Sequence, residues 1–445
     1  MRKALKPEKV RPFLPSGFRD FSPSEVRRRR WVFQKLSAIF ERFGYEPLET
    51  AAVESLAVLT GKYGEEGDKL LFRILNSGDF LANVPEEAKA QSTSLLPYIT
   101  EKALRYDLTV PMARWVAQHA GQLVFPFKRY QIQPVWRADR PQRGRFREFY
   151  QCDVDIVGAE GIMPLLELIQ IARLGLKTLG LRGAVLHLNH RALLERAAHL
   201  TGWPLNDFST FCHRLDKADK LGWMNIKATF EAEGYHLPSW LSPTTDFDSA
   251  LRAELERLPI LSPDLPTLLS LIETSDETLK IQWDCTLARG LEYYTGYIYE
   301  IRLPGSGVGS IAAGGAYASL VSDFGGPNLP AIGLSFGIER ILALIPEESI
   351  PNEVPPSVLV SWIDASPLYV QRVVETFHEG GVAAFAFPAP KKLSKQIEYA
   401  QRRGLKWVAI VGSAEEAAQQ VQLKNLHEHS QRILPLDAVA QACLE

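Results

Sequence analysis

The stretch VWRADRPQRGRFREFYQCDVDIVG (135–158) predicts a long β-hairpin. Apolar and aromatic residues lie on both sides of a polar, basic centre, a pattern typical of two strands joined by a loop. We expect strands over 127–137 and 146–157, with RADRPQRGR (137–145) as the loop. The hairpin therefore concentrates positive charge at one end of a strand pair.

An aromatic ring, an amide and two acids follow one another on one face of the second strand. Strand side chains alternate between faces, so residues two apart in sequence lie on the same side. The residues on this face are Phe149, Gln151, Asp153 and Asp155. From the first to the last, the face is about 20 Å long at about 3.3 Å per residue.

Arginines cluster at the loop end of the hairpin. They are Arg137, Arg140, Arg143, Arg145 and Arg147. A guanidinium can bind phosphate oxygens through two parallel hydrogen bonds. A surface hairpin with solvated arginines has the same charge pattern, so charge alone does not decide between the two interpretations. Three further segments, RYDLT (105–109), LARGLEYYTG (287–296) and GLSFGIER (333–340), favour the phosphate site through the family resemblance described below.

Composition limits the class of protein. The chain has 445 residues, 46% of them hydrophobic and 23% charged, which is typical of a globular protein of two or three domains. A net charge of −2 argues against a protein that coats nucleic acid by bulk charge, although a local basic face remains compatible with RNA binding. The four cysteines are far apart and form no CxxC pair, which favours free thiols in a reducing cytosol. Neither a signal peptide nor an apolar run of membrane-spanning length is visible, so we expect a cytoplasmic protein.

Periodicity gives a coarse map of the chain. Residues 24–43 predict an amphipathic helix capped by Ser22 or Ser24, and 160–280 is mainly helical. Strand signals return at 293–303, and 333–345 predicts a strand that enters a helix. The Pro-rich, acidic EESIPNEVPP (347–356) is the clearest boundary. After it, strands and helices alternate, which predicts a small α/β domain with short parallel strands.

Several motifs suggest other functions and are weak. PGSGVGS (304–310) has the glycines of a dinucleotide loop but no helix after it, and the chain has no P-loop. KKLSK (391–395) resembles the lysine loop of class I synthetases but lacks the partner HxGH sequence; a helix start is the better interpretation. The run Arg27 to Arg30 points all round its helix, so we expect most of it to be solvated or paired rather than bound to RNA.

Five segments together resemble class II aminoacyl-tRNA synthetases. They are RYDLT (105–109), VWRAD (135–139), GRFREFYQ (144–151), LARGLEYYTG (287–296) and GLSFGIER (333–340). LARGLEYYTG is close to the signature that marks histidyl-tRNA synthetases within that class. RLDKADKLG (214–222) and the C-terminal KLSKQIEYAQRRG and VQLKNL are also similar to that family. The resemblance runs in order from LPSGFRDFSP (14–23) to residue 426.

The resemblance implies an α+β fold. We expect a class II synthetase core, an antiparallel sheet with flanking helices, at residues 1–345. It would carry a helical insertion at about 175–280 that contacts the acceptor arm of tRNA. A linker at 346–356 would lead to a C-terminal α/β anticodon-binding domain at 357–445.

The resemblance also implies the reaction and the partners. Histidine would attack the α-phosphate of ATP to give histidyl-adenylate and pyrophosphate, and the 3′ end of tRNA(His) would then take the histidyl group. Mg²⁺ would bridge the ATP phosphates, although the sequence identifies no metal ligand. We expect a homodimer with no membrane association.

The family's ATP residues match an arginine-rich set in this chain. Arg137 would hold the α-phosphate, while Arg145 and Arg340 would hold the outer phosphates. Phe149 would stack on adenine, and Asp139 would accept from its amino group. The family more often has Glu at position 139. Arg137 and Arg289 would be the catalytic residues.

The family's histidine-binding residues match a second set. Asp107, Thr109 and Gln151 would hold the ammonium group, and Arg289 the carboxylate. Asp155 and Tyr294 would bind the two imidazole nitrogens, with Tyr293 and Tyr317 lining the pocket. Both lining tyrosines could equally be packing residues.

Two departures and one rival accompany this interpretation. The family usually has GGRYD where this chain has GGAYA (314–318), so an arginine and an acid are missing beside the histidine pocket, and Ala51 replaces a proline of the first class II motif.

The rival is the synthetase-like regulatory subunit of ATP phosphoribosyltransferase, a histidine sensor. That paralogue generally lacks the anticodon domain and tends to lose the catalytic arginines. A pure RNA-binding module is a third, weaker alternative.

Overall fold

The computed structural model describes residues 12–63, 67–141, 145–243, 249–288, 294–346, 350, 357–389 and 391–444. The chain divides into two compact units, Met1–Ile350 and Pro351–Glu445. Among the described helices, none combines the length and apolar character needed to span a bilayer. All four cysteines are free thiols buried inside the protein.

Regular elements of the first unit follow one another along the chain. Its strands are β1 (Glu46–Pro47), β2 (Val53–Ser55), β3 (Arg73–Ile74), β4 (Lys102–Leu104), β5 (Phe127–Trp136), β6 (Glu148–Val157), β7 (Ala184–His190), β8 (Leu279–Trp283), β9 (Tyr297–Arg302), β10 (Ala312–Tyr317) and β11 (Ala331–Gly337). Its helices are α1 (Pro23–Arg42), α2 (Leu56–Leu59), α3 (Ser92–Ile99), α4 (Thr109–His119), α5 (Met163–Thr178), α6 (Arg191–Thr201), α7 (Phe208–Leu215), α8 (Ala218–Leu221), α9 (Trp223–Ala232), α10 (Ser249–Arg257), α11 (Leu265–Glu273) and α12 (Ile338–Leu344).

An eight-stranded sheet organises the first unit, in the order β1-β5-β6-β11-β10-β9-β7-β8. The two outermost pairs, β1 with β5 and β7 with β8, are parallel, and the pairs between them are antiparallel. A second, antiparallel sheet has the order β2-β4-β3. The expected hairpin is present as β5 and β6, and the expected antiparallel core is confirmed.

The large sheet has an apolar face and a polar face. On the apolar face, Val154, Leu334 and Phe336 belong to one core cluster with Leu36 and Phe40 of α1 and with the buried side of α5. The alternate residues of β5, β6 and β11 form the opposite, polar face. They are Arg129, Gln131, Gln133, Gln151, Asp153, Asp155 and Ser335, brought side by side by the strand register.

Helix α1 begins after Ser22, one of the two caps expected, and Ser22 forms a capping box with Glu25. The Ser22 N–H donates to Glu25 Oε2 at 2.7 Å, and the Ser22 side chain accepts from the Glu25 N–H. The arginine run that follows is partly structural. Arg28 donates to the carbonyl oxygens of Leu342 and Ile345 at 3.3 and 3.2 Å, and Arg29 is buried. Arg27 and Arg30 are exposed, so half of the run is solvated, in line with the expectation.

The expected helical insertion at about 175–280 also contains a strand of the main sheet. Strand β7 pairs with both β8 and β9. Between β7 and β8 the regular structure of the described residues is helical, from Arg191 to Glu273. The run LHLN (186–189) alternates with a period of two after the apolar Ala184 and Val185, which is a strand signal that the coarse helical prediction did not take into account.

The second unit is a small α/β domain. Its strands are β12 (Ser357–Trp362), β13 (Ala383–Ala386), β14 (Trp407–Val411), β15 (Gln420–Asn425) and β16 (Gln431–Pro435), and its helices are α13 (Pro367–Glu379), α14 (Leu393–Arg402), α15 (Ser413–Ala418) and α16 (Gln441–Leu444). The sheet order is β13-β12-β14-β15-β16. The first three strands are parallel as expected, whereas β15 and β16 are antiparallel, which corrects the purely parallel prediction. KKLSK lies where α14 begins, as the helix-start interpretation requires.

Arg129 supplies the positive charge inside the polar face. Its side chain is fully buried, and Nη2 lies 2.7 Å from Asp155 Oδ2. Asp153, the neighbouring acid on β6, is also buried, and its Oδ1 has no hydrogen-bond partner among the described residues. Burial raises the pKa of the Asp153 carboxyl to about 7, against the opposing effect of Arg129, because dehydration disfavours the charged form. The single positive charge of Arg129 thus faces the carboxyl groups of both Asp153 and Asp155.

Replacement of Asp153 by Asn should alter how stability depends on pH. Between about pH 4 and pH 7 the folded state holds a proton that the unfolded chain has released, so the free energy of unfolding falls as pH rises. Asp153→Asn removes this dependence and should make the ligand-free protein more stable than the wild type above pH 7. Thermal unfolding from pH 4 to pH 8 measures it, with Asp20→Asn, at an exposed position, as the matched control. Equal or lower stability of Asp153→Asn at pH 8 would contradict the electrostatic account.

Candidate active site

Arg137 lies at the loop end of the hairpin, held by an aromatic pair. Its Nε donates to the carbonyl oxygen of Tyr106 at 3.1 Å. The guanidinium carbon lies 4.2 Å from the centroid of the Tyr106 ring and 5.2 Å from that of Phe149. These contacts hold the cation through its Nε and its flat faces, so the two outer nitrogens can serve an anionic group.

Asp139 and Arg145 form a pair at the two ends of the loop. Arg145 Nε lies 3.2 Å from Asp139 Oδ2, and the Arg145 side chain is more than half exposed. Arg147 supports the same loop by donating to the carbonyl oxygen of Asp139 at 3.0 Å. Asp139 is therefore buried beneath a long, exposed cationic side chain that an incoming phosphate could attract. Arg143, another arginine of the loop, lies outside the described residues.

Arg340 approaches the same end of β6 from α12. The register pairs Gly337 with Gln151, three residues before Arg340. Arg340 Nη1 donates to the backbone and side-chain oxygens of Ser310 at 2.6 and 3.2 Å. The preceding residue, Glu339, forms an ion pair with Arg19. Contacts with Ser310 and with Arg19 thus hold the first turn of α12, which carries Arg340.

Asp107 is a buried acid at the start of α4. Its Oδ1 accepts from the Tyr63 hydroxyl at 2.9 Å and from the Val110 N–H at 3.1 Å, so it satisfies one backbone donor in the first turn of the helix. Burial raises the pKa of Asp107, while these two hydrogen bonds and the charge of Arg137 oppose the rise. Thr109 is the first residue of α4 and is half-buried beside it. An ammonium group is the complementary ligand for such a carboxylate.

Asp155 is engaged from two sides. Its Oδ1 accepts from the Tyr317 hydroxyl at 2.6 Å, and its Oδ2 faces Arg129. Tyr317 is therefore a hydrogen-bonding residue that orients Asp155, and not merely a lining or packing residue. Each carboxylate oxygen accepts more than one hydrogen bond, so Asp155 retains capacity for a ring N–H. Gln151, nearer the arginine end, donates to Ser335 Oγ at 3.4 Å.

Glycines form the surface between these groups. A Cβ on Gly333 would overlap Asp155 Oδ1, and one on Gly315 would lie 2.9 Å from the ring of Tyr294. The Tyr294 ring thus packs against the backbone of β10, the strand that pairs with β11. Only residues without a side chain at these two positions allow Asp155 and Tyr294 to approach the sheet backbone so closely.

Two of the predicted site residues lie outside the described residues: Arg289 and Tyr293. Their neighbours Leu287 and Ala288 are buried in the main core, and Tyr294 is half-buried.

Of the departures from the family pattern, Ala316 accepts a backbone hydrogen bond from Thr295 at 2.8 Å, and its Cβ lies 3.1 Å from the Cβ that Gly296 would have. Ala51 is exposed.

The sequence interpretation missed Arg129, Tyr63, Ser310 and Ser335. Arg129 could have been found, because it alternates with Gln131 and Gln133 in the same period of two that singled out Asp153 and Asp155. Tyr63 and Ser310 lie far in sequence from the residues they bond, and no local pattern marks them.

Comparison with known proteins shows the family of the chain. Residues 17–341 match the family described as histidyl-tRNA synthetase, and residues 358–445 match the anticodon binding domain. A curated histidine–tRNA ligase of Porphyromonas gingivalis is 40% identical over 96% of this chain and 98% of its own. The crystal structure of histidyl-tRNA synthetase from Nostoc sp. PCC 7120 has a TM-score of 0.74 and 26% identity, and the match covers 98% of this chain and 99% of that one.

A third similar protein bears on the rival interpretation. The structure described as an ATP phosphoribosyltransferase regulatory subunit/histidyl-tRNA synthetase from Bacillus halodurans has a TM-score of 0.68 but 18% identity, over 91% of this chain and all of that one. At that identity it shows the fold alone and does not distinguish sensor from enzyme. The match of residues 17–341 covers well over half of this chain, and the curated relative aligns along nearly its whole length, so the chain belongs to the histidyl-tRNA synthetase family.

Proposed function

We propose that the protein is a histidine–tRNA ligase that activates histidine with ATP and transfers it to the 3′ end of tRNA(His). One observation carries the proposal: Arg137, Arg145 and Arg340 lie at one end of β6, and the buried carboxyls of Asp153 and Asp155 lie on the polar face towards the other end, around the single buried cation of Arg129. Gln151 lies between the two groups. A ligand with phosphates at one end, and with an ammonium group and a ring N–H donor at the other, fits that distribution of charge.

Activation needs charge stabilisation and positioning, and no protein nucleophile. Arg137 would bind the α-phosphate, where negative charge grows as the histidine carboxylate attacks. Arg340 and Arg145 would bind the outer phosphates, and the exposure of Arg145 fits a side chain that swings from Asp139 to its ligand. Arg289 would contact both the carboxylate and the α-phosphate. Phe149 would stack on adenine, with Asp139 accepting from the amino group.

Histidine would bind at the acidic end. Asp107, Thr109 and Gln151 would receive the ammonium group, and Asp155 would accept from one imidazole nitrogen while the Tyr294 hydroxyl donates to the other. Tyr293 and Tyr317 would complete the pocket, Tyr317 through its hydrogen bond to Asp155. An imidazole ring has one donor and one acceptor nitrogen when neutral, so the pair of an acid and a hydroxyl matches it.

Mg²⁺ would assist by neutralising phosphate charge. Among the described residues no group of three or more acidic, His or Cys side chains is arranged to hold a metal ion. The phosphates of ATP and bound water molecules would supply most of its ligands, as is common for this ion. We further propose that the protein works as a cytoplasmic homodimer and that its second unit binds the anticodon.

The first test separates an enzyme from a histidine sensor. If the proposal is correct, the purified protein will exchange labelled pyrophosphate into ATP only when histidine is present. Arg137→Ala should lower this exchange about 10²–10³-fold, the scale for loss of one preorganised electrostatic donor. The control is Arg27→Ala, at an exposed arginine of α1, the helix that packs on the apolar face of the sheet. Histidine binding without exchange would favour the sensor.

The second test concerns Asp155. Asp155→Asn should weaken histidine binding strongly and ATP binding little, because Asp155 lies about 20 Å along the strand from Phe149. Calorimetry measures the two affinities separately. Loss of Asp155 also leaves Arg129 as an uncompensated buried charge, so Tyr317→Phe is the milder companion, which removes only the hydroxyl bonded to Asp155. Equal losses for both ligands would identify Asp155 as a structural brace.

The third test removes the second unit. A chain that ends at Ile350 should retain histidine-dependent pyrophosphate exchange, because every proposed contact with histidine and ATP lies in the first unit. Charging of tRNA(His) should fall severely if residues 357–445 hold the anticodon. Normal charging by the shortened protein would contradict that role, and loss of exchange would show that the first unit depends on the second.

A further inference from the structure

The N-terminal segment, residues 16–21, lies against the arginine end of the hairpin. The Arg147 N–H donates to the carbonyl oxygen of Gly17 at 2.9 Å, and the Arg147 carbonyl oxygen accepts from the Arg137 N–H at 2.9 Å. Arg147 Nη1 also donates to the carbonyl oxygen of Ser16 at 3.3 Å. Arg147 thus joins the N-terminal segment to the backbone of Arg137.

The same segment contacts α12 through Arg19. This arginine forms an ion pair with Glu339, the residue before Arg340, and its guanidinium carbon lies 3.9 Å from the ring centroid of Phe146. The Glu339 side chain is only 9% exposed, and a carboxylate so far removed from water needs a cation beside it. The second cation is farther away, with Arg29 Nη2 3.8 Å from Glu339 Oε1. Arg19 is therefore the main partner of the acid in the first turn of α12.

Gly17 allows the segment to approach the hairpin so closely. Its φ is +86°, in the left-handed region that residues with a side chain rarely adopt. A Cβ at this position would lie 2.8 Å from Arg147 Cγ and 3.0 Å from Pro141 Cγ. Any other residue would strain the backbone and displace the Arg147 side chain, so the pairing depends on glycine.

We propose that the N-terminal segment is a positioning element for ATP. Gly17 sets the position of Arg137 through the backbone pairing, and Arg19 sets that of Arg340 through the ion pair. The inference rests on the proposed function, since it assumes that Arg137 and Arg340 bind the phosphates. The segment itself touches no substrate in this scheme. It joins the two sides of the phosphate site, and displacement of a reacting group by about 1 Å can lower a rate about 10²-fold.

The two attachments should act on different kinetic constants. Arg340 would bind the outer phosphates, which are already charged in free ATP, so release of its neighbour Glu339 should raise the KM for ATP. Arg137 would bind the α-phosphate, where charge grows during attack, so release of Arg147 should lower kcat. Loss of folded protein alone would lower the rate and leave the KM values for ATP and histidine unchanged.

The chain offers a matched control for each attachment. Gly44, which follows α1, has a φ of +77° and no atom within 4 Å of the position of a Cβ, so Gly44→Ala strains the backbone without a new contact. Arg28 donates to the carbonyl oxygens of Leu342 and Ile345 at the far end of α12. Arg28→Ala therefore loosens the same helix away from Arg340.

The experiment is steady-state pyrophosphate exchange with ATP and histidine varied separately, together with calorimetry of ATP binding. Arg19→Ala should raise the KM for ATP about 10-fold through the displacement of Arg340. Arg19→Lys should recover part of the loss, because it keeps the charge beside Glu339 but not the flat guanidinium on Phe146. The KM for histidine should change little. An unchanged KM for ATP in Arg19→Ala would overturn the inference for Arg340.

The other attachment is tested in the same assay. Gly17→Ala should lower kcat about 10- to 100-fold. Gly44→Ala and Arg28→Ala should leave kcat and the KM for ATP close to the wild-type values. Losses of similar size in these controls would mean that backbone strain or a loosened helix is sufficient, and would overturn the inference. An unchanged kcat in Gly17→Ala would overturn it for Arg137.

A double-mutant cycle tests whether Arg19 acts through Glu339. In a Glu339→Ala background, Arg19→Ala should raise the KM for ATP by less than about threefold, because its partner is already absent. Equal effects in the two backgrounds would contradict the link to Arg340. If Gly17→Ala fails to fold, the Arg19 variants, at a partly exposed position, still test the inference through the KM for ATP. Absence of histidine-dependent exchange in the wild type would instead refute the proposed function.

Discussion

The ion pair of Arg129 with Asp155 lies fully buried in the middle of a sheet whose polar face carries several acids. Dehydration of carboxylates is unfavourable unless a positive charge and hydrogen bonds compensate it. Arg129 gives that compensation when no ligand is present, and the Tyr317 hydroxyl completes it. Burial raises the pKa of Asp155, and Arg129 and the Tyr317 hydroxyl oppose that rise. The neighbours on this face, from Gln131 to Ser335, are arranged around that fixed cation.

Much of the fold could be predicted because its signals are local. The alternation in 127–157 specifies two strands and a polar face, and Ser22 with Glu25 specifies the start of α1. The strand β7 was missed because its alternating part, LHLN (186–189), is short beside the helices that follow it. The antiparallel pairing of β15 with β16 depends on contacts between strands, and no single segment contains that information.

The residue types of the site could be predicted from the sequence, but the hydrogen bonds that hold the acids in place could not. The arginines and acids stand out by residue type and spacing, and the family resemblance assigned their roles. Their supports did not stand out: Tyr63 bonds Asp107 across 44 residues, and Tyr317 bonds Asp155 across 162. Strand register and chain topology decide which residues meet in this way. A sequence pattern therefore indicates the acid but does not predict the tyrosine that donates to it.

The glycines beside Asp155 and Tyr294 have an evolutionary consequence. At Gly333 and Gly315 the wall of the proposed histidine pocket is bare backbone, and even a methyl group would collide with Asp155, with the Tyr294 ring or with a carbonyl oxygen. Ordinary drift cannot reshape this wall one side chain at a time. Any lineage that alters amino-acid preference must therefore change residues on the opposite wall and at the mouth of the pocket.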